Sequence, residues 1–289
     1  MKQVFSPKQV ATAIGASESS VKRWCDQGVI PSIKTAGGHR RVPISGVLEF
    51  VRSDNRGLID PAAIGLPSGI DDPDVSNNQV AAFKQHLIAG DYNGCRRVVF
   101  QLFLNRQSLA QIFDDVVAKT MHELGDDWCS GSIEIFEERR GCELTTRLMY
   151  DLRATLPLPA TDAPLAMGGS TQNDPYSLPT RMVEMVLVEL GWNAMSLGSG
   201  IPVSSMVEAV KQHKPRLFWL SVSSLDDNDR FLAQYQQLSE VCGTHTALVV
   251  GGRGLSDQLR EQMKYTAYCE SLVRLESFAQ AIHCRTESK

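Results

Sequence analysis

Short apolar runs alternate with helical segments in the C-terminal part of the chain, after about residue 163. Each run ends in small residues: PLAMGGS, WNAMSLG, RLFWLSVS, HTALVVGG and TAYCES. The segments between the runs carry apolar residues at helical spacing: TRMVEMVLVELG, VSSMVEAVKQH, DRFLAQYQQLSEVC and LESFAQAIHC. Alternation of this kind is typical of a parallel sheet whose strands are joined by helices. The sequence therefore predicts a doubly wound α/β domain of about five strands over residues 163–289.

Residues 79–156 show a different pattern, with apolar positions at helical spacing in four successive segments. These are VAAFKQHLIAG, NGCRRVVFQLFLN, LAQIFDDVVAKTMHELGDDW and SIEIFEERRGCELTTRLMYDLRATL. Because the connections between them are short, the pattern predicts a four-helix bundle. Residues 57–78 and 157–164 are rich in Pro, Gly and Asp and lack sustained periodicity, which is typical of linkers.

The first 56 residues predict two short helices followed by a hairpin. Ser6 is suited to cap a helix that Gly15 ends, and Ser17 to cap a second helix that Gly28 ends. A tight glycine-containing turn between two such helices is typical of a helix-turn-helix. The next segment, PSIKTAGGHRRVPI, has a Gly-Gly pair between apolar residues and predicts a hairpin. We therefore expect a winged helix-turn-helix over residues 1–56.

Charge is divided unevenly between residues 1–56, which we call the head, and the remainder of the chain. Residues 1–56 carry nine Lys and Arg and four Asp and Glu, a net of +5, whereas the other residues carry 20 basic and 29 acidic side chains, a net of −9. A polyanion such as DNA would be attracted by the head and repelled by the remainder. The acidic part is better suited to sensing or to self-association.

Cysteine spacing and hydropathy exclude several classes of protein. The seven cysteines are scattered without a CxxC pair, which excludes a zinc-finger spacing and argues against a disulfide framework. No stretch approaches the about 18 consecutive apolar residues that a membrane helix needs. The N-terminal sequence lacks the apolar run of a signal peptide. We therefore expect a cytoplasmic protein.

The head carries basic residues where a winged helix-turn-helix meets DNA. In such domains the second helix enters the major groove and the wing touches the backbone, and Arg and Lys neutralise phosphates and read guanine edges. We expect the DNA-contacting residues to be Ser19, Ser20, Lys22 and Arg23 on the second helix and Lys34, His39, Arg40 and Arg41 on the wing. The alternative is that these charges only form a solvated face. Trp24 is expected in the small core under the recognition helix.

Small and polar residues follow three of the predicted strands. GGSTQNDPYSLP follows the first, SVSSL the third and GGRG the fourth. Ligands of doubly wound sheets lie at the carboxyl ends of the strands, so these loops predict a site for a large flat ligand or a buried nucleotide tail. The chain has no GxGxxG after the first strand and no Walker A sequence, which disfavours a dinucleotide or a nucleoside triphosphate. The alternative is that glycine and serine are ordinary loop residues here.

The N-terminal sequence SPKQVA…SSVKRWCDQGVIPSIKTAGGHRRV resembles the DNA-binding domain of the MerR family, especially the branch with a GGHR wing. The resemblance implies sequence-specific binding to double-stranded DNA. MerR-type proteins pair two half-sites, because one recognition helix covers only a short site. The resemblance therefore also implies a homo-oligomer.

A four-helix bundle followed by a flavodoxin-like, Rossmann-type sheet resembles a cobalamin-binding domain. With the head included, nearly the whole chain resembles the cobalamin-dependent, light-sensing MerR repressors of the CarH, CarA and LitR type. In that family a serine-containing turn and a glycine pair accommodate the nucleotide tail of cobalamin. The resemblance assigns these roles to Ser221 and Ser223, and to Gly251 and Gly252.

Two motifs of that family are only partly kept. The family motif DxHxxG, whose histidine binds cobalt from below, aligns with residues 174–179, where Asp174 is kept and Tyr176 replaces the histidine. The family bundle carries a Trp followed after nine residues by Glu-His. Here Trp128 and Glu138 match, and Arg139 replaces the histidine. A neutral tyrosine is a poor ligand for cobalt and arginine cannot coordinate it, so the residues predict no protein ligand to a metal.

Three hypotheses follow for the ligand. The chain binds cobalamin without the usual histidine ligand, or it binds haem or another tetrapyrrole, or it binds no ligand and acts through protein contacts. The remaining histidines show no spacing that identifies an axial ligand.

We expect a transcriptional regulator with a photoreceptor-like sensor domain rather than an enzyme. Cobalamin-dependent mutases and methyltransferases bring a separate catalytic domain, and the head, bundle and sheet leave no residues for one. No Ser-His-Asp or Cys-His arrangement stands out. The alternative is an architectural or interaction protein that binds DNA and whose sensor domain has decayed.

Overall fold

The computed structural model describes residues 4–54, 57–70 and 78–284. The chain divides into two compact units, Met1–Pro157 and Leu158–Lys289. None of the helices described is long and apolar enough to cross a membrane.

The N-terminal unit begins with the predicted winged helix-turn-helix. Its elements are β1 (Val4–Phe5), α1 (Pro7–Ile14), α2 (Glu18–Asp26), β2 (Ile33–Lys34), β3 (Arg40–Pro43) and α3 (Ile44–Asp54). The strands form an antiparallel sheet in the order β1-β3-β2. The Ser6 and Ser17 side chains accept hydrogen bonds from the first-turn backbone of α1 and α2, and Gly15 ends α1 in the left-handed conformation. The predicted helix ends are confirmed at these three residues.

The first part of the predicted linker is folded onto α1. A 3₁₀ helix spans Pro61–Ile64, and the backbone N–H groups of Ile59 and Asp60 donate to the carbonyl of Ala13 at 2.8 and 3.1 Å. Leu58 is buried. Over 57–70 the structure thus differs from the expected linker, because Pro and Gly mark irregular backbone and do not prevent a few apolar side chains from packing. Residues 71–77 of the same prediction lie outside the described residues.

The bundle follows as predicted, with one helix modified. Its helices are α4 (Gln79–Ala89), α5 (Tyr92–Leu104), α6 (Leu109–Ile112), α7 (Lys119–Cys129) and α8 (Ile135–Thr155). A π-helical stretch at Phe113–Ala118 joins α6 to α7, so these three pieces are the single third helix that the periodicity predicts. The bundle contains fully buried aromatic side chains, among them Phe83 and Phe100.

The C-terminal unit is a doubly wound parallel sheet, and the predicted fold class is confirmed. Its strands are β4 (Leu165–Ser170), β5 (Asn193–Ser196), β6 (Leu217–Ser221), β7 (Ala247–Gly251) and β8 (Ala267–Tyr268). Its helices are α9 (Leu178–Glu189), α10 (Val203–His213), α11 (Asn228–Cys242), α12 (Asp257–Arg260) and α13 (Leu272–Cys284). The strand order β5-β4-β6-β7-β8 is the flavodoxin-like order, and it reverses direction between β4 and β6, where ligands of such sheets bind.

The two faces of this sheet pack against different helices. Phe218 and Leu220 belong to a core cluster with the apolar residues of α10 and α11. Successive strand residues point to opposite faces, so Trp219 and Ser221 point to the other face. That face meets α9, because the indole Nε1–H of Trp219 donates to Thr180 Oγ1 at 2.8 Å.

Candidate functional site

The recognition helix α2 presents polar and basic side chains to solvent. Ser19, Lys22 and Arg23 are exposed. Lys22 Nζ lies 2.7 Å from the Glu18 carboxylate one turn earlier, and this pairing lowers the pKa of Glu18. Ser20 is half-buried, and its hydroxyl lies 2.9 Å from the hydroxyl of the capping residue Ser17. The Ser19 hydroxyl lies at the same distance from Ser17, so both serines are engaged at the helix N-terminus, whereas Lys22 and Arg23 extend into solvent.

Trp24 packs α2 against α3. It is half-buried, and its ring centroid lies 5.1 Å from that of Phe50 on α3. Aromatic rings at this separation stabilise each other beyond the area that they bury. The prediction that Trp24 belongs to the small core of the head is confirmed.

The wing is a hairpin with a three-residue loop. The Thr35 N–H donates to the His39 carbonyl at 2.9 Å, the Gly38 N–H donates to the Thr35 carbonyl at 2.8 Å, and Gly38 has a φ of +76°. A left-handed residue at this place matches the twist of the two strands, and glycine adopts it without steric cost. Lys34 and His39 are exposed beside the loop.

Arg40 and Arg41 have different environments on β3. The Nε and Nη2 groups of Arg40 donate to Asp26 Oδ1 at 3.0 and 2.6 Å, so Arg40 joins β3 to the last residue of α2. Arg41 is half-buried and has no ion pair among the described residues. The sequence indicated Arg40 as a DNA contact and gave no signal for Asp26, because an ion pair between residues 14 apart has no periodicity.

In the bundle, the predicted ligand-binding residues lie at the end of α7 and the start of α8. Trp128 is 43% exposed, which disagrees with ordinary core packing. Ile135 and Phe136 beside the start of α8 are 49% and 59% exposed. Each of these three apolar side chains is thus available to a ligand or a partner, because none of them is packed into the core.

Glu138 and Arg139 are oriented differently from each other. The Glu138 side chain is only 15% exposed, its carboxylate accepts from Cys142 Sγ at 3.2 Å, and Arg139 Nε lies 3.4 Å from its other oxygen. Arg139 is 70% exposed. Burial, reinforced by the Glu138 carboxylate, raises the pKa of the Cys142 thiol to about 12. Glu138 is therefore an acceptor that Cys142 and Arg139 already occupy, and Arg139 pairs with it from the exposed side of the helix.

In the C-terminal unit, Asp174 joins the loops that follow β4 and β6. Its side chain is fully buried. Oδ1 accepts from the Tyr176 N–H at 3.0 Å, and Oδ2 accepts from the Ser223 N–H at 2.6 Å. Charge-assisted hydrogen bonds of this kind fix loop geometry strongly. Both carboxylate oxygens thus hold backbone, and Tyr176 is 54% exposed at the surface beside them.

The predicted serines and glycines lie at the same edge of the sheet. Ser221 is paired with Gly251 across β6 and β7, and it is buried. A Cβ at Gly251 would lie 2.6 Å from the Cys269 carbonyl oxygen. A Cβ at Gly252, where φ is +117°, would lie 2.1 Å from the Val222 carbonyl oxygen. These two positions exclude side chains because neighbouring backbone already fills the space.

Two hydroxyl groups at this edge are buried without a hydrogen-bond partner in the described part of the chain. They are Ser223 Oγ and Thr171 Oγ1. A buried hydroxyl without a partner costs free energy, and such groups in native proteins often bond to water or a ligand. Of the predicted residues, the structure therefore brings Asp174, Tyr176 and Ser223 together directly.

Two residues that the sequence analysis did not single out also shape this edge. Trp219 is two residues before Ser221 on the same face of β6, and it is 2% exposed. Thr180 receives its indole N–H and lies 3.2 Å from the Ser196 hydroxyl. Strand alternation could have placed Trp219 and Ser221 on one face, because the residues of a strand alternate with a period of two.

A groove of about 460 Å³ opens elsewhere on this unit, between β5 and α10. Its lining includes Met195, Leu197, Glu208 and His213 and none of the predicted ligand-binding residues. The predicted ligand site therefore does not coincide with this groove.

Two family models match parts of the chain. Residues 4–55 match a family described as a helix-turn-helix domain, and residues 79–152 match a family described as a B12 binding domain. The first covers the head and the second covers nearly all of the bundle. A comparison with curated proteins finds no match.

Solved structures with similar folds include corrinoid proteins. The monomethylamine corrinoid protein of Methanosarcina barkeri is 18% identical with a TM-score of 0.59, over 71% of this chain and 99% of that one. A cobalamin-binding protein from Desulfitobacterium hafniense DCB-2 is 17% identical with a TM-score of 0.38, over 70% and 97%. The methanol:cobalamin methyltransferase complex MtaBC of Methanosarcina barkeri is 12% identical with a TM-score of 0.39, over 93% of each chain. The similarity to the monomethylamine corrinoid protein supports the fold of this chain and does not by itself indicate its function.

Proposed function

We propose that this protein is a transcriptional regulator of the MerR type that binds double-stranded DNA through residues 1–56. The observation that carries the proposal is the pairing of Arg40 with Asp26, at 2.6 Å, which places the basic wing beside the end of helix α2. The accessible cations Lys22, Arg23 and Lys34 then belong to adjacent parts of one small domain. The match of residues 4–55 to a helix-turn-helix family supports the same function.

The acidic remainder supports assembly rather than DNA contact. Its net charge of −9 repels a phosphate backbone. Because one recognition helix covers a short site, we expect two copies of the chain on a two-fold-related pair of half-sites. Light scattering of the full chain on a selected operator would show two or more copies, whereas a monomer both free and on DNA would contradict this part of the proposal.

A regulator is favoured over an enzyme because a helix-turn-helix domain and a B12 binding domain are matched on the same chain. Selection from a random duplex pool tests the regulator directly. The full chain should enrich one sequence with two half-sites, and a variant with Arg23→Ala and Arg41→Ala should enrich none. A matched control is Lys119→Ala, which removes an exposed cation of the bundle. Enrichment of no sequence by the wild type would refute the proposal.

Cobalamin is the first ligand to test, because residues 79–152 match a B12 binding domain. The exposed indole of Trp128 fits the face of a flat macrocycle. The C-terminal unit does not fit the mode in which a histidine binds cobalt and the nucleotide tail is buried. Tyr176 stands in place of the histidine, and both oxygens of Asp174 are engaged by backbone N–H groups. The side chains at this position therefore supply no histidine ligand to cobalt.

The second candidate is regulation through haem, another tetrapyrrole, or a protein partner. Three exposed apolar side chains favour this second candidate: Trp128, Ile135 and Phe136. An exposed apolar side chain can contact either the face of a macrocycle or the surface of a protein. The absorption spectrum of the purified chain with added cyanocobalamin, and separately with haemin, distinguishes the alternatives. A spectral shift identifies a macrocycle, and its absence with both favours a protein partner.

A further inference from the structure

We infer that the C-terminal unit is closed to a buried nucleotide tail because the indole of Trp219 occupies the layer between the sheet and α9. The inference concerns only this unit and does not depend on DNA binding. It departs from the family resemblance, which assigns Ser221, Ser223 and the glycine pair to such a tail.

The position of the indole follows from strand register. Ser170 pairs with Ser221, and Gly168 pairs with Trp219, on the adjacent strands β4 and β6. Residues two apart on a strand share a face, so Gly168, Ser170, Trp219 and Ser221 all face α9. Ser170 and Ser221 are the last of these residues on their strands, and Trp219 and Gly168 form the next pair on the same face, two residues earlier.

The indole crosses this layer completely. A Cβ at Gly168 would lie 2.3 Å from Trp219 Cδ2, so the ring lies directly over the neighbouring strand. Its Nε1–H reaches Thr180 on α9 at 2.8 Å, and Thr180 Oγ1 lies 3.2 Å from the Ser196 hydroxyl on β5. The side chain therefore spans from β6 over β4 to α9. An aromatic group that entered from the strand ends would meet this ring.

The glycine pair offers no second path. The space beside Gly251 is filled by the Cys269 carbonyl, and the space beside Gly252 is filled by the Val222 carbonyl. Protein interiors are packed as densely as organic crystals, so a tail could enter only if the indole or these backbone segments moved. A macrocycle bound by this unit is therefore held by its ring alone, without a buried base.

Comparison of two corrinoids tests this inference on the wild-type chain. Cyanocobalamin carries the nucleotide tail and dicyanocobinamide lacks the base. We expect their Kd values to agree within about threefold, or neither to bind, because the tail buries no surface. A preference for cyanocobalamin of about tenfold or more, together with a spectrum in which the base has left cobalt, would overturn the inference.

Removal of the indole tests the same claim in the opposite direction. Trp219→Ala should open a cavity that 5,6-dimethylbenzimidazole fills, as small aromatic molecules fill dry engineered cavities. Addition of this compound should therefore raise the Tm of the variant. Trp192→Ala is the matched control, since Trp192 is also fully buried but packs against His283. A Tm increase with dimethylbenzimidazole in the wild type, or none in folded Trp219→Ala, would contradict the placement. If Trp219→Ala does not fold, Trp219→Phe should bind the same probe more weakly and keep the native circular dichroism.

Discussion

Arg40 on the wing and Asp26 at the end of the recognition helix form a two-donor contact, with Nε and Nη2 of Arg40 at 3.0 and 2.6 Å from one carboxylate oxygen. The contact fixes the wing relative to α2. It also occupies the guanidinium that the sequence pattern assigns to DNA. We therefore interpret Arg40 as a positioning residue and Arg41 as the wing residue that is available to phosphate.

Substitution of Arg40 and of Arg41 should have different effects on DNA binding. Arg41→Ala should lower the salt slope of log K by about one unit, because one phosphate contact is lost. Arg40→Ala should weaken binding with little change in slope, because it only loosens the wing. The double charge swap Asp26→Arg with Arg40→Asp should restore part of the affinity. Fluorescence anisotropy over a salt series checks this, and equal slope losses for Arg40→Ala and Arg41→Ala would show that both touch phosphate.

Gly38 should be more sensitive to substitution than its neighbour Gly37. At a φ of +76°, Gly38→Ala should cost about 1–2 kcal/mol, because a Cβ in the left-handed region clashes with the backbone. Gly37→Ala is the control, since its Cβ would lie at an ordinary 3.5 Å from the His39 ring. DNA affinity and thermal unfolding measure both effects. Equal losses for the two variants would contradict the loop geometry.

Sequence periodicity predicts most of this fold for a physical reason. Capping residues such as Ser6 and Ser17 and the alternation of strands and helices are local signals, and local signals fix the elements and the class of sheet. The folded segment around Leu58 was missed because its packing depends on contacts with α1, which lies far away in sequence. The π-helical stretch at Phe113–Ala118 likewise interrupts a helix without leaving a sequence mark.

The candidate site was less predictable than the fold. The substitution at Tyr176 is visible in the sequence and indicates lost histidine ligation. Asp174 accepts hydrogen bonds from two loops, and the indole of Trp219 fills the layer between the sheet and α9. Both arrangements depend on tertiary contacts between β4, β6 and α9. Such contacts have no sequence period, so only the structure shows which of the small residues surround open space.

Asp174→Asn should destabilise the C-terminal unit. One of the two backbone N–H groups would face an amide N–H₂ group instead of an oxygen, and a lost hydrogen bond to a buried charge costs about 2–3 kcal/mol. Urea unfolding followed by the fluorescence of the buried tryptophans measures the change. The control is Asp226→Asn, an exposed residue, which should unfold as the wild type does. A neutral effect at Asp174 would contradict its role in joining the loops.

The cysteines should differ in reactivity. Burial raises the pKa of the Cys95, Cys142 and Cys242 thiols to about 12, so they stay protonated and unreactive at pH 8. Cys129 is exposed, and iodoacetamide should label it first. The raised values also predict that the contribution of these thiols to stability is complete below their ordinary pKa of about 8.5 and is lost as pH rises from there toward 12, because the unfolded thiols ionise first. Mass spectrometry of the labelled native chain checks the order, and early labelling of Cys142 would contradict its burial.

The salt dependence of operator binding by the full chain tests the proposed function most directly. We expect log K to fall linearly with log salt, and Arg23→Ala and Arg41→Ala each to reduce the slope by about one unit. Lys119→Ala in the bundle should leave the slope unchanged. An identical slope for the wild type and both head variants, or an equal loss from Lys119→Ala, would show that the basic head is not the surface that meets DNA.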